Sequence, residues 1–111
     1  MADAPITLGR RISESRRRRS WSQRQLAERI LREDGTPISP QYLNDIERNR
    51  RVPPEYLLRQ FSRILGLDAD HLTFLAGRIP AFLSKRLADE QTFVAFRREK
   101  PIAPQRQARE A

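Results

Sequence analysis

Ser22-Gln23-Arg24-Gln25-Leu26-Ala27, and after a gap Ile38-Ser39-Pro40-Gln41-Tyr42-Leu43-Asn44-Asp45-Ile46-Glu47, is the stretch that decides the fold. Each half opens on a serine that can accept a backbone N–H left free in a helix's first turn. Gln25 follows Ser22 by three residues and can reach back to it, the capping-box spacing. Pro40 follows Ser39 at the first helical position, where no N–H is needed. Leu26, Ala27, Ile30 and Leu31 form one apolar stripe, and Leu43 with Ile46 forms another. Two short capped helices in succession are therefore expected, the second from Pro40 to about Arg48. Asp34-Gly35-Thr36-Pro37 breaks the chain between them.

Outward from this pair the chain reads as further helices with no convincing strand. Leu8, Ile12 and Arg16 recur every four residues, predicting a first helix from Thr7 to Arg18. Pro54 opens a fourth, with Leu57, Leu58, Phe61, Ile64 and Leu65 on one face and Gly66 placed to end it left-handed. Asp68 caps a short fifth containing Leu72, Phe74 and Leu75, which Gly77 stops. Pro80 to Leu87 and Asp89 to Arg98 also carry helical patterns. The expected fold is all-α: a five-helix domain over residues 6–77, a helical extension over 78–98 and a flexible tail over 99–111.

With 111 residues, 38% of them hydrophobic, the chain has enough apolar content for one small core. No apolar run approaches the ~18 residues of a membrane span, and Met-Ala-Asp-Ala-Pro is not the start of a signal peptide. Cysteine is absent, so disulfides, thiolate metal sites and thiol nucleophiles are excluded. The reading is of a cytoplasmic protein. The net charge of +8 favours a polyanionic partner. All but Lys85 and Lys100 of the 22 basic residues are arginine, a skew that GC-rich coding also produces, so charge informs only once placed on a fold.

Ser22-Gln23-x-x-Leu26-Ala27, then Ile38-Ser39-x-x-Tyr42-Leu43-x-x-Ile46-Glu47-x-x-Arg50-x-x-Pro53, resembles the phage repressor and Cro family of helix-turn-helix domains, often called Xre-type. The resemblance runs on into Leu65-Gly66-Leu67. It implies a repressor-like fold in which the second helix of the pair enters the major groove of double-stranded DNA. It also implies an internal salt bridge between Arg16 on the first helix and Glu47 on the third. One feature departs from the family: Leu26 and Leu43 lie 17 apart, where about three or four residues normally join the two helices. A longer second helix, a longer Glu33–Pro37 loop, or both in part, would absorb the difference.

On this fold the candidate DNA-binding residues are Ser22, Gln23, Ser39, Pro40, Gln41, Tyr42, Asn44, Asp45, Arg48 and Arg50. Gln41 is the foremost base reader, since a glutamine can bond adenine bidentately. Pro40 offers an apolar surface to a thymine methyl. Gln23 suits a phosphate, at a helix end whose N–H groups and dipole favour anions. Arg48 and Arg50 are within reach of bases or phosphates. The run Arg16-Arg17-Arg18-Arg19 reads equally as a solvated helix end and as a phosphate patch. Trp21 reads as a core residue and His71 as structural or exposed.

An enzyme is not expected. One histidine, no cysteine, four glycines without a phosphate-cradling loop and no framed pair of carboxylates leave no catalytic constellation, cofactor or metal site to name. The function expected is a DNA-binding transcriptional regulator, a repressor acting as a homodimer on an inverted repeat. Phe82, Phe93 and Phe96 in the extension are the candidate dimer surface. The alternative is an antitoxin-type module that binds a protein partner, a toxin or other regulator, while repressing its own operon.

Overall fold

A computed structural model describes residues 6–99 as seven helices. They are α1 (Leu8–Arg18), α2 (Gln23–Ala27), α3 (Pro40–Glu47), α4 (Glu55–Leu65), α5 (Ala69–Leu75), α6 (Ala81–Leu87) and α7 (Glu90–Glu99). The chain divides into two units between Arg78 and Ile79, with α1 to α5 in the first. The expected tail beyond Glu99, which itself closes α7, lies outside the described residues. Among the described residues no helix is long and apolar enough to cross a membrane.

The helix starts follow from side-chain caps. Thr7, Ser22, Ser39 and Asp68 each accept a backbone N–H three residues on. At Ser22 the capping box is complete, since Gln25 Oε1 accepts in return from the Ser22 N–H at 2.8 Å. Gly66 ends α4 at φ 68°, a left-handed conformation that costs glycine little.

One contiguous core holds the first unit together. Leu8 and Ile12 of α1 meet Leu26 and Ala27 of α2, Leu43 and Ile46 of α3, Leu57, Leu58, Phe61 and Leu65 of α4, and Leu72 of α5. Ile30 and Ile38 join from the α2–α3 connection. Fully burying side chains of this size contributes about 1.5–3 kcal/mol each, so the packing of α4 across the others outweighs any propensity of these short helices. Trp21 packs at the margin of this core, half-buried, with the guanidinium of Arg29 4.3 Å and that of Arg19 5.5 Å from its ring centre.

The connection between α2 and α3 corrects the sequence reading in two ways. α2 is not extended: it stops at Ala27, and the extra length forms a miniature hairpin with an antiparallel bridge between Leu31 and Pro37. Arg32 N–H donates to Thr36 O at 2.7 Å, and Ile38 N–H to Ile30 O at 2.9 Å. Leu31, expected in the core as part of a helical stripe, is exposed, because the chain leaves helical geometry before reaching it. Asp34 and Gly35 close the turn. The Thr36 hydroxyl and N–H both donate to Asp34 Oδ1, at 2.7 and 3.0 Å, and hold that carboxyl below its usual range. Gly35 takes a φ of 88°, which suits the tight reversal.

The second unit is a pair of short helices. α6 buries none of its residues, and Ile79, Phe82, Phe93 and Phe96 are all exposed.

Candidate nucleic-acid interface

An ion pair at the centre of the first unit sets the relation between the two paired helices. Arg16 Nε donates to Glu47 Oε2 at 2.7 Å and Arg16 Nη2 to Glu47 Oε1 at 3.0 Å, with both side chains below a tenth exposed. The remaining guanidinium nitrogen, Nη1, donates to the Trp21 carbonyl oxygen at 2.8 Å, tying in the residue before the α2 cap. Two parallel N–H···O bonds fix the plane of each group as well as the distance between them. Of the four-arginine run, Arg16 thus belongs to the interior, whereas Arg17, Arg18 and Arg19 are exposed.

Gln23 completes this network. Its Nε2 donates to Glu47 Oε1 at 3.0 Å and to Asn44 Oδ1 at 3.2 Å. Both amide donors of Gln23 are therefore occupied by α3, leaving an acceptor oxygen that a phosphate cannot use. A flipped amide would set that oxygen against the Glu47 carboxylate, so the orientation follows from charge. Asn44 keeps its own Nδ2 donors. A polar cleft of about 600 Å³ opens above the network, lined by Ser13, Arg17, Ser22, Gln23, Asn44 and Arg48 besides the ion pair. Because Arg16 and Glu47 neutralise each other, Arg17 and Arg48 leave the cleft positive.

The first turn of α3 stands outside this network. Ser39 Oγ accepts from Tyr42 N–H at 3.0 Å and Pro40 occupies the first helical turn. Ser39, Pro40 and Gln41 are exposed, Tyr42 and Asp45 half-buried. Gln41 Nε2 donates to Asp45 Oδ1 at 3.1 Å, and Arg50 Nη1 stands 3.5 Å from the same oxygen. This row keeps the Gln41 carbonyl oxygen and one N–H for an outside partner, as a bidentate contact to a base edge requires.

The ten candidate residues consequently fall into three groups. Ser22, Gln23, Asn44 and Arg48 meet at the cleft, and Gln41, Asp45 and Arg50 form a row, while Ser39, Pro40 and Tyr42 begin α3. One cleft residue, Ser13, escapes sequence reasoning because nothing in α1 marks the face that turns to α2 and α3, while Arg17 comes from the arginine run that also read as a phosphate patch. The aromatic candidates Phe82, Phe93 and Phe96 lie in the second unit and are exposed.

Two further residues hold α3 against α1. Asn49, with φ 62°, accepts from Gly9 N–H through Oδ1 at 2.9 Å and donates through Nδ2 to Thr7 Oγ1 at 3.0 Å. Gly9 lies so close to the end of α3 that a Cβ there would be 2.6 Å from the Ile46 carbonyl oxygen.

Two short helices clamped at a fixed angle, the second with an exposed polar first turn, are the elements of a helix-turn-helix. Comparison with known proteins agrees. A family model described as a helix-turn-helix domain matches residues 7–75. Searches of curated proteins and of solved structures found no match. Since the matched segment takes in α1 to α5 and most of the chain, this protein belongs to the helix-turn-helix domain family of DNA-binding proteins.

Proposed function

We propose that this protein is a sequence-specific transcriptional regulator of the phage repressor and Cro type, a repressor that occupies an inverted-repeat operator as a homodimer in the cytoplasm. The observation that carries the reading is α3: an eight-residue helix anchored by its inner face to α1 and α2, with Pro40 and Gln41 exposed at its start. In this architecture that end of the helix meets base edges in the major groove. The Arg17 and Arg48 cleft then takes a backbone phosphate, with Asn44 Nδ2 and the Ser22 hydroxyl as neutral donors. Gln23 serves as the strut between them. The role is binding, with no catalytic step.

Support for a dimer comes from the second unit. One helix-turn-helix reads only a few base pairs, and two copies on a two-fold site read enough to select an operator. Exposed Ile79, Phe82, Phe93 and Phe96 supply the apolar and aromatic surface that interface centres use. The same surface would serve a different protein in the antitoxin-type alternative.

Selection of bound duplexes from a random pool tests the proposal. Recovery of an inverted repeat supports binding, site and two-fold symmetry together. A half-site without a repeat removes the homodimer, and no enrichment removes sequence-specific binding.

A further inference from the structure

The hairpin between α2 and α3 is the part of the first unit that the helix-turn-helix reading leaves without a task. Its backbone is unusually well held for a seven-residue excursion. Beyond its own bridge, Leu31 is gripped from α4: Gln60 Oε1 accepts from Leu31 N–H at 2.7 Å, and Gln60 Nε2 donates to Leu31 O at 2.6 Å. The next residue is Arg32, and its guanidinium lies 5.8 Å over the ring of Tyr42 in the first turn of α3. The insertion therefore delivers a cation to the end of the helix that approaches DNA.

Arg32 does not arrive alone. The Tyr42 phenol is pushed above its ordinary value by burial first and by Tyr56 second, while Arg51 and Arg32 both oppose that shift. The phenol under Arg32 stays protonated and able to donate. Arg32 is exposed and has no carboxylate within ion-pair distance among the described residues. A guanidinium stacked on a ring keeps its in-plane N–H edge free, the edge that grips a phosphate. The acidic neighbours do not cancel this arrangement. Glu33 and Asp34 sit in the turn beyond the arm carrying Arg32, and Asp34 is occupied by Thr36.

We propose that Arg32 and the Tyr42 hydroxyl form a second phosphate clamp, on the flank of α3 away from the Arg17–Arg48 cleft, and that the hairpin exists to carry Arg32 into it. The two clamps would hold the DNA backbone on both sides of the reading helix. The assignment is to phosphate because Arg32 lies over the half-buried Tyr42 ring rather than at the exposed Pro40–Gln41 edge. It rests on the DNA-binding reading.

The test uses the full chain with a selected operator and a scrambled duplex, titrated between 50 and 200 mM salt. Arg32→Ala is expected to weaken both duplexes by the same factor, about tenfold, the value of one charge-assisted hydrogen bond. The slope of log affinity against log salt should fall by about 0.9 for each copy bound. Arg32→Lys should keep the slope. Tyr42→Phe retains the ring and removes only a neutral donor, so it should weaken both duplexes and leave the slope unchanged. Unchanged affinity and slope for Arg32→Ala, at an unchanged melting temperature, would overturn the clamp. A loss confined to the operator would also overturn it, by making Arg32 a base reader. Failure of the wild-type chain to bind either duplex would instead remove the reading underneath.

Discussion

Gly9 of α1 rests directly against the backbone of Glu47 at the end of α3, with no room between them for a Cβ. This contact lets the Asn49 side chain reach both Gly9 and Thr7 and lets Arg16, two turns along α1, meet the Glu47 carboxylate. Gly9→Ala would ordinarily favour a helix by about 1 kcal/mol. Here the obstacle is backbone carbonyl rather than a movable side chain, so the variant should be less stable by about 1–3 kcal/mol, the usual cost of overpacking. Thermal unfolding checks this, and an unchanged or raised melting temperature would show that α1 and α3 can separate freely.

The Gln60 clasp on Leu31 makes a local prediction. Gln60→Leu removes two hydrogen bonds at a site open to water, so the released groups can be rehydrated. The global cost should stay near 1–3 kcal/mol, from about 0.5–1.5 per bond. The more telling readout is amide hydrogen exchange, which should rise at Leu31 and Arg32 and leave the buried turns of α4 protected. Uniform loss of protection would make the clasp part of the global core instead.

Glu47→Ala should be much more damaging. It leaves Arg16 buried with only the Trp21 carbonyl, and it also takes away an acceptor of Gln23. Breaking one side of a buried ion pair costs about 3–5 kcal/mol, a large part of the ~5–15 kcal/mol that holds a domain together. A melting temperature within a few degrees of wild type would mean that the guanidinium finds water when its partner is gone.

Gln41→Ala leaves this scaffold untouched, because Gln41 bonds only to the neighbouring Asp45 side chain. Stability should be unaffected. Preference at one base position of a selected operator should relax by about 1–3 kcal/mol. Equal weakening on every sequence would place Gln41 on the DNA backbone.

Removing residues 79–111 cuts the chain where its two units divide. The shortened chain keeps α1 to α5 and the whole buried cluster, so it should fold. It should sediment as a monomer and bind an inverted repeat far more weakly than the full chain. A shortened chain that still dimerises would place the interface on the first unit.

Much of this was legible in the residues. Ser22 with Gln25, Ser39 with Pro40, and Gly66 announce helix ends through local chemistry, which tertiary packing rarely overrules. Arg16 on a buried stripe, with Glu47 beside Ile46, foreshadows a pair that the structure displays at 2.7 Å. The α2–α3 connection was legible only as excess length. Ile30, Leu31, Arg32 and Glu33 suit a helix, and the competing hairpin depends on Gln60, 29 residues away. Gly9 was silent for a related reason: in sequence a helical glycine reads as a weak helix former, and only the approach of α3 gives it a purpose. Gln23 shows the limit for the site itself. Position marks it for phosphate, yet its donors are already committed to Asn44 and Glu47.

The bonds that orient α3 leave from its inner side, at Asn44 and Glu47, and from Asn49 just past its end, while Pro40 and Gln41 take no part in them. If α3 reads DNA as proposed, address and chassis are written in different letters of the same helix. On that reading, new operators become accessible by exchanging two or three outward residues, without renegotiating the stability of the fold. A family of regulators could diverge in target by that route while their skeletons stayed interchangeable.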